Sequence, residues 1–582
     1  MNLPIRQYFR LLSTYLRPQR GKVIFLTLCL FTGIAMQLVA PQVVRQFIDQ
    51  AQQGSPAAAL SRIAFLFLGV TLVSQIVHIL SAYLTENVKW QATNLLRNDL
   101  ADHTLHLDMA FHNENTPGTM IERIDGDITE LSNFFSQFIL KIMGNALLLT
   151  GVLVLLYQED WRVGVVFTVF ALVMMLSLGL TVSLGVRFWE GQREALSEQF
   201  GFIEEVLGGT EDIRANGGVP YVMNQMRRHI YQVFLATRKA FLVGNLTWGS
   251  SNVFFGISGA LALGLGFYLY SQGQATLGTI YLLLHYSNTL QRPLEQLARQ
   301  LQDLQAATAS INRIQELFDI RPKVQEHPAA IPLPGGPQAV SFQGVTFSYE
   351  ADKPILRDLS FHLPAGKVMG LLGRTGSGKT TITRLLFRFH DPDQGAVCLN
   401  ERDLRQVKLE DLRQTVGMVT QEVQLFQASV RDNLTFFDPS VPDEKIIEAM
   451  EILGLGEWFR SMPDGLDTKL AAGGRGLSAG EAQLLAFTRV FLKDPGLIIM
   501  DEASSRLDPV TEQLIERAID RLLHNRTAII VAHRLATVQR ADDILILDEG
   551  EVLEYGDRVA LLADPDSRFS ELLRTGMEQV LV

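Results

Sequence analysis

Charged residues and cysteine are both scarce in this sequence. Only 19% of the 582 residues are Asp, Glu, Lys or Arg, whereas 47% are hydrophobic. The two cysteines, Cys29 and Cys398, lie in different halves of the chain, so a disulfide framework is not indicated. The formal net charge is −11. Because nucleic-acid-binding proteins present basic surfaces, this balance argues against nucleic acid as a partner.

Charge is missing altogether from several long stretches. The interval from Lys22 to Arg45, for example, contains no Asp, Glu, Lys or Arg, and a helix needs roughly 20 mostly apolar residues to cross a bilayer. We predict six membrane spans, at about residues 23–44, 63–85, 142–158, 163–186, 241–270 and 275–297. Buried helices of a large soluble protein are the alternative, but uncharged runs of this length are rarely that.

The charge flanking the first span indicates its orientation. Residues 1–22 contain five Lys or Arg residues and no acidic residue, and such a segment stays in the cytoplasm. Six spans then return the second half of the chain to the same side. We therefore expect a multi-pass protein of the plasma membrane with both termini in the cytoplasm.

Two long connections between spans have the composition of helices. Residues 87–140 and 188–238 are rich in helix-forming residues, and about 25 helical residues out and back would carry each tip roughly 40 Å beyond the bilayer. Each connection is broken near its middle, at residues 112–118 and 208–218. We predict two cytoplasmic helical arms that pass motion to a cytoplasmic domain. Structureless loops are the alternative, although loops so long are uncommon.

The composition changes after Leu317. Residues 321–337 hold five prolines and are typical of a linker. Residues 338–582 alternate apolar strand-like runs with helical patterns, which indicates an α/β domain. The sequence thus predicts an α-helical polytopic membrane domain over residues 1–320, followed by the linker and the α/β domain.

One predicted strand leads directly into a phosphate-binding loop. Residues 373–380 read G-x-x-x-x-G-K-T between a strand and a helix, which is the Walker A pattern of a P-loop ATPase. The backbone N–H groups would wrap phosphates at a helix N-terminus, Lys379 would supply positive charge, and the Thr380 hydroxyl would bind Mg²⁺. The predicted ATP-binding residues of this loop are Gly373, Arg374, Thr375, Gly376, Ser377, Gly378, Lys379, Thr380 and Thr381.

A second apolar run, LIIM, delivers two acidic residues to the end of a strand. Asp501 would hold the Mg²⁺ shell, and Glu502 would polarise the attacking water. Paired acids at a strand end are otherwise common surface features, but the phosphate loop upstream favours the catalytic interpretation.

With these motifs in place, nearly the whole chain resembles the ATP-binding cassette family, and the order of its parts resembles the exporter half-transporters of that family. The resemblance implies that Tyr349 stacks on adenine and that Gln421 contacts the metal and meets the arms. It also implies that Asp508 belongs to the inter-subunit loop and that His533 holds the γ-phosphate. Glu502, His533 and Gln421 would then be the catalytic residues, and Thr380, Gln421 and Asp501 the metal ligands.

The stretch Leu477–Glu481, LSAGE, is similar to the family's LSGGQ signature, which docks on the ATP held by the other cassette. The resemblance implies that Ser478 hydrogen-bonds the partner's γ-phosphate and that Gly480 lies in the same turn. Two departures from LSGGQ are expected to weaken the contact with the partner's ATP. Ala479 adds a methyl group where glycine allows close approach, and Glu481 adds a negative charge near a triphosphate.

These observations predict ATP-driven export of a small hydrophobic or amphipathic substrate, such as a drug-like compound, a lipid or a peptide, across a bacterial plasma membrane. The partner would be a second half-transporter subunit, with a heterodimer favoured over a homodimer because of the altered signature. The alternative function is a non-transporting ATP-gated channel or sensor built on the same fold.

Several polar residues fall within the predicted spans, where polar side chains face a cavity or a partner helix. They are Gln37, Gln75, His78, Asn145, Asn245, Trp248, Asn252, His285 and Asn288. Helix packing is the simpler explanation, and the sequence does not assign a substrate to them.

Overall fold

The computed structural model describes residues 13–137, 142–350, 353–420, 423–474, 476–501, 509–532 and 538–575. The chain divides into two compact units. The membrane unit comprises residues 1–106 and 116–320, and the cassette unit comprises residues 107–115 and 321–582.

Helices make up the membrane unit, and three of them are very long because their apolar runs continue directly into the polar arms. The long helices that enter the arms are α2 (Ala57–Leu105), α7 (Trp161–Gly208) and α9 (Val219–Ser271), and the others include α1 (Arg20–Gln52), α4 (Pro117–Ile121), α5 (Ile128–Gln137), α6 (Gly144–Glu159), α8 (Thr210–Ala215) and α10 (Leu277–Asp319). A π-helical turn, Glu122–Asp127, separates α4 from α5.

Four of the described helical segments are long and apolar enough to cross a membrane: residues 13–52, which contain α1, and α2, α7 and α9. Helix α6 is apolar but shorter. The predicted spans 142–158 and 275–297 fall on α6 and on the first half of α10, and they stay predictions.

Both arms are helical and turn where the sequence is broken. In the first arm, α3 (Met109–Glu114) ends before Thr116, whose hydroxyl accepts the Thr119 N–H at 3.3 Å and so caps α4. In the second arm, α7 ends at the Gly208–Gly209 pair, and Gly217 takes a positive φ of 66° before α9 begins. Glycine adopts this conformation without steric cost.

An ion pair between a buried carboxylate and a partly exposed arginine ties the first arm to the last helix of the membrane unit. Asp127 is 4% exposed, and its two carboxylate oxygens share the single Arg313 Nε–H, with distances of 2.9 and 3.1 Å, while Nη2 donates a further hydrogen bond. A buried carboxylate is stable only with such a partner, so the pair fixes the π-helical turn against α10.

The cassette unit is built on two sheets. Its strands are β1 (Val340–Ser348), β2 (Pro354–Leu363), β3 (Val368–Gly373), β4 (Gln394–Leu399), β5 (Arg402–Asp403), β6 (Val416–Val419), β7 (Leu497–Asp501), β8 (Thr527–Val531), β9 (Asp543–Asp548) and β10 (Glu551–Asp557). An antiparallel sheet has the order β2-β1-β4-β5, and a larger sheet has the order β10-β9-β3-β8-β7-β6.

The helices of this unit are short. Besides α3 they include α11 (Lys379–Leu386), α12 (Leu409–Thr415), α13 (Val430–Thr435), α14 (Asp443–Ile452), α15 (Gly456–Arg460), α16 (Ala479–Lys493), α17 (Pro509–Leu523), α18 (Arg558–Ala563) and α19 (Arg568–Thr575).

The large sheet is buried on both faces. On β7, Leu497 and Ile499 join one hydrophobic cluster, whereas Ile498 and Met500 join the other. Continuous apolar strands of this kind are typical of parallel sheets covered on both sides. Strands β6, β7, β8, β3 and β9 are parallel, so their carboxyl ends meet at one edge, where polar residues gather.

Candidate ATP-binding site

The Walker loop follows β3 at this edge, and its backbone conformation requires glycine at several positions. Gly373, Gly376 and Gly378 have φ values of 149°, 86° and 106°. A Cβ atom at Gly373 would lie 2.4 Å from the Leu547 carbonyl oxygen, and one at Gly378 would lie 2.6 Å from Leu356. Larger residues at these two positions would therefore displace the loop.

Lys379 begins α11 and holds the loop from inside. It is 7% exposed, and its Nζ donates to the carbonyl oxygens of Gly373, at 2.6 Å, and Arg374, at 2.9 Å. Burial lowers the pKa of this ammonium group, and the nearby Asp501 carboxylate opposes that shift. The lysine thus places a positive charge within the turn of the loop.

Two hydroxyl groups of the loop complete a site for an anion. The Ser377 Oγ is buried and has no hydrogen-bond partner among the described residues, whereas Thr380, one residue after Lys379, is exposed. An orphaned donor beside a buried cation and a helix N-terminus fits a polyphosphate. Arg374 and Thr375, also predicted to bind, lie exposed in the loop.

Asp501 ends β7 and pairs in register with Val531, the last residue of β8. Because β8 lies between β7 and β3, Asp501 faces the same edge as the Walker loop. Among the described residues, no group of three or more His, Cys, Asp and Glu side chains forms a metal site. An Mg²⁺ ion would take the Asp501 carboxylate, the Thr380 hydroxyl and phosphate oxygens as ligands, which are the hard oxygen donors that it prefers.

Four predicted site residues lie outside the described residues: Gln421, Glu502, Asp508 and His533. Their roles stay predictions. The strands that precede Gln421, Glu502 and His533 are β6, β7 and β8, and all three end at the edge that carries the Walker loop.

Tyr349 follows β1 and presents an aromatic ring that is 42% exposed. The Arg384 guanidinium lies 5.7 Å from the ring centroid, and its Nη1 donates to the Tyr349 hydroxyl at 3.2 Å. The buried Thr381, predicted to bind ATP, has its Oγ1 at 3.4 Å from the same hydroxyl. His390 packs edge-on to the ring at 5.2 Å.

Sequence reasoning missed Arg384 and His390. The signal for Arg384 was present, since its i, i+3 spacing from Thr381 puts both on one face of α11.

The signature turn is closed by an internal hydrogen-bond network. Ser478 is the N-cap of α16, and a carboxylate oxygen of Glu481 accepts its backbone N–H at 2.7 Å and its hydroxyl at 2.8 Å. In return, the Ser478 Oγ accepts the Glu481 N–H at 3.2 Å. This is a capping box, whose S-x-x-E pattern is readable in the sequence but was not predicted.

Gly480 is required in this turn for a steric reason. It is buried, and a Cβ atom there would lie 2.0 Å from Thr511 Cγ2. A larger residue would push α16 away from α17.

Comparison with known proteins agrees with this geometry. The model of the ABC transporter transmembrane region matches residues 23–294, and the ABC transporter model matches residues 356–505. The chain is 30% identical over 565 residues to YknV of Bacillus subtilis (strain 168), an uncharacterized ABC transporter ATP-binding protein, covering 96% of this chain and 92% of that protein. This chain belongs to the ABC transporter family.

Two further relatives place the chain among ABC exporters. It is 28% identical over 581 residues to the ATP-dependent lipid A-core flippase of Vibrio cholerae, covering 98% of this chain and 97% of the flippase. The structure of a bacterial Atm1-family ABC exporter with ATP bound matches with a TM-score of 0.79 at 25% identity, covering 96% and 98% of the two chains.

The predicted family and fold class are therefore confirmed. The ABC protein is an exporter half-transporter, in which one helical transmembrane domain is fused to one ATP-binding cassette. It binds ATP, couples hydrolysis to transport and, as a half-transporter, functions as a dimer.

Proposed function

We propose that this chain is half of an exporter in a bacterial plasma membrane that moves a small hydrophobic or amphipathic compound outward, with both termini in the cytoplasm. The supporting observation is that one chain joins a phosphate-binding loop, at residues 373–380, to helices long and apolar enough to span a bilayer. The basic segment at residues 1–22 supports the orientation.

The residues of the loop perform the binding step. The backbone N–H groups before α11 and the Lys379 ammonium hold the β- and γ-phosphates, and Ser377 donates its free hydroxyl. Thr380 and Asp501, together with Gln421, would hold Mg²⁺, which would supply positive charge against the phosphate oxygens.

For hydrolysis, Glu502 orients a water molecule, which attacks the γ-phosphorus. The Glu502 carboxylate accepts a proton from this water while the bond between the γ-phosphorus and the bridging β–γ oxygen breaks. His533 donates a hydrogen bond to the γ-phosphate. Tyr349 would stack on adenine, and Arg384 contacts the ring and the hydroxyl of Tyr349. Asp508 would belong to the loop between subunits.

Motion reaches the membrane helices through the arms. Helix α3 belongs to the cassette unit, and the adjacent Asp108 carboxylate accepts the backbone N–H groups of Lys323, at 2.5 Å, and Val324, at 3.3 Å. We infer that the first arm moves with the cassette of its own chain and that the second arm, at α8, contacts the cassette of the partner subunit. ATP shifts the equilibrium only by preferring the closed dimer.

The partner is a different half-transporter chain. The Glu481 carboxylate already accepts both donors of Ser478, so this signature is poorly suited to bind the partner's ATP. The Walker loop of this chain, in contrast, has every residue that the pattern requires. A homodimer with two working LSAGE signatures is the alternative.

Reconstitution into proteoliposomes tests the proposal. We expect ATPase activity that a transported compound stimulates, together with ATP-dependent movement of that compound, and both should be lost in Lys379→Ala. A gated channel would instead show nucleotide-dependent passive flux with no uphill movement, and that result would refute export.

A further inference from the structure

A polar cavity lies inside the membrane unit, between α1, α2 and α6. Its volume is about 510 Å³, which falls within the range of about 300–1,000 Å³ for small-molecule sites. The described lining residues all come from the membrane unit of one chain.

Four polar side chains that line the cavity lack hydrogen-bond partners among the described residues. Ser74, His78 and Ser81 recur at helical spacing along one face of α2, and Gln37 lines the opposite wall on α1. Among the described residues, the side chains of these four make no hydrogen bond, although Asn145, on the third wall, donates to Gln296 at 2.6 Å. Polar side chains within a membrane bundle are costly unless they meet water or a ligand, and these four are left available to one.

The rest of the lining is apolar, and the cavity is closed at one end. Leu30, Ile34 and Leu148 form the apolar walls. Beyond Gln37, α1 and α6 are in close contact: a Cβ atom at Gly151 on α6 would lie 2.6 Å from the Leu38 side chain on α1. The opposite end of the lining is Glu86, where α2 continues into the first arm.

The charge of the lining favours a cation. It contains the Glu86 carboxylate and the His78 imidazole, but no Lys or Arg among the described residues that form it. Glu86 is 53% exposed and pairs at 2.6 Å with Lys89, which lies outside the lining. A phosphate headgroup requires lysine or arginine donors, whereas carboxylate, amide and imidazole acceptors suit an organic cation.

We propose that this cavity binds the cationic end of an amphipathic organic cation with an apolar body, and that it disfavours phosphate-bearing lipids. The inference rests on the proposed export function, since it assigns the class of the exported compound. Glu86 and His78 would contact the charge, and the apolar walls would hold the body of the molecule.

Binding is tested on the full-length protein in nanodiscs without nucleotide. Rhodamine 6G is the cationic probe, and fluorescein is an anion with the same ring system; fluorescence anisotropy reports both. We expect saturable binding of the cation only, weakened about tenfold in the double variant His78→Leu/Glu86→Gln, equivalent to about 1.4 kcal/mol. Gln75→Leu, on the same helix but outside the lining, is the matched control and should bind as the original chain does.

The reactivity of Cys29 gives a second measurement of binding, for which no polar residue of the lining has to be substituted. It lies in the lining, and Cys398→Ala removes the other cysteine. Rhodamine 6G should slow the reaction of Cys29 with N-ethylmaleimide, and fluorescein should not.

Three results would overturn the inference: no saturable binding of the cation, equal binding of the anion, or binding without protection of Cys29. If the cavity fails these tests while another compound is transported at the expense of ATP, export stands and only the substrate class is wrong.

Discussion

Ser478 has one backbone N–H and one hydroxyl hydrogen to donate, and both point to the carboxylate of Glu481. A phosphate that approaches this turn must displace one of these hydrogen bonds and also meet a negative charge. These contacts are exposed, and two unit charges about 4 Å apart in the dielectric of water repel by about 1 kcal/mol, so position 481 affects the affinity of the turn for ATP.

Glu481→Gln should strengthen the contact with the partner's ATP. The amide keeps an acceptor for the Ser478 N–H, and therefore the cap, but removes the charge. We expect the ATP concentration for half-maximal closure of the dimer to fall about 5- to 10-fold. Closure is measured by crosslinking between cassettes.

Glu448→Gln removes one negative charge at an exposed position on α14 and is the control. It should leave the ATP concentration for half-maximal closure unchanged. An equal shift in the control would assign the effect to net charge and contradict the proposed role of Glu481.

Lys379→Ala and Glu502→Gln should separate binding from chemistry. Loss of the buried ammonium should abolish photo-crosslinking of labelled ATP to this chain. Glu502→Gln should retain crosslinking but slow turnover about 100-fold or more, because general-base catalysis contributes factors of that size.

The exposed change Glu551→Gln on β10 is the control for both variants. Near-normal turnover in Glu502→Gln would show that another group positions the water, and unchanged crosslinking in Lys379→Ala would place ATP elsewhere.

At the scale of elements, we expect the arms to convert closure of the cassettes into movement of the spans. Helices α2, α7 and α9 continue from the apolar segments into the arms without interruption, so a displacement at an arm tip is carried along a rigid rod. The ion pair between the buried Asp127 and Arg313 links the first arm to α10.

The two arm tips should crosslink differently. In a cysteine-free background, a pair at Met109 and Val324 should form a disulfide within one chain. A pair at Arg214 and Phe426 should form one between chains, because we expect α8 to reach the partner's cassette. Electrophoresis without reductant distinguishes the two products.

A cysteine at Gly54, in the turn between α1 and α2, is the control and should crosslink to neither cassette position. If the Arg214 pair crosslinked only within one chain, the proposed exchange of arms between subunits would be wrong.

Elements marked by local patterns could be predicted, whereas long-range pairings could not. The Walker loop, the helical arms and their breaks follow from glycine spacing, helix-forming composition and turn residues, all within short windows. Asp127 and Arg313, in contrast, are 186 positions apart, and nothing in either segment specifies the other. The contact of Arg384 with the Tyr349 ring likewise depends on how β1 packs beside α11.

For the whole molecule, function depends on an assembly that one chain cannot complete. In the proposed dimer, each ATP would lie between the Walker loop of one cassette and the signature of the other, so the quality of a site would depend on two sequences. In this chain, the Walker loop fits a polyphosphate, but Glu481 already accepts the donors of the signature turn. A homodimer of this chain would therefore have two ATP sites, each with the same weakly binding signature turn.

The native assembly should consequently be a heterodimer with one strong and one weak ATP site. The strong site would combine this chain's Walker loop and Glu502 with an unaltered signature of the partner. The weak site would pair LSAGE with a partner cassette that lacks a catalytic glutamate. We expect the chain purified alone to hydrolyse ATP slowly and a second half-transporter chain to restore activity, as measured by ATPase rates and by the mass of the assembly.

Ser478→Ala discriminates between the two assemblies. In the heterodimer it should change the ATPase rate little, because this signature serves the weak site, whereas the matching serine of the partner should be essential. Rapid turnover by a homogeneous two-copy assembly of this chain, abolished by Ser478→Ala, would instead show that LSAGE is a working signature. In that case Glu481 must leave Ser478 as ATP approaches, and Glu481→Gln should still lower the ATP concentration needed for closure at both sites of the homodimer.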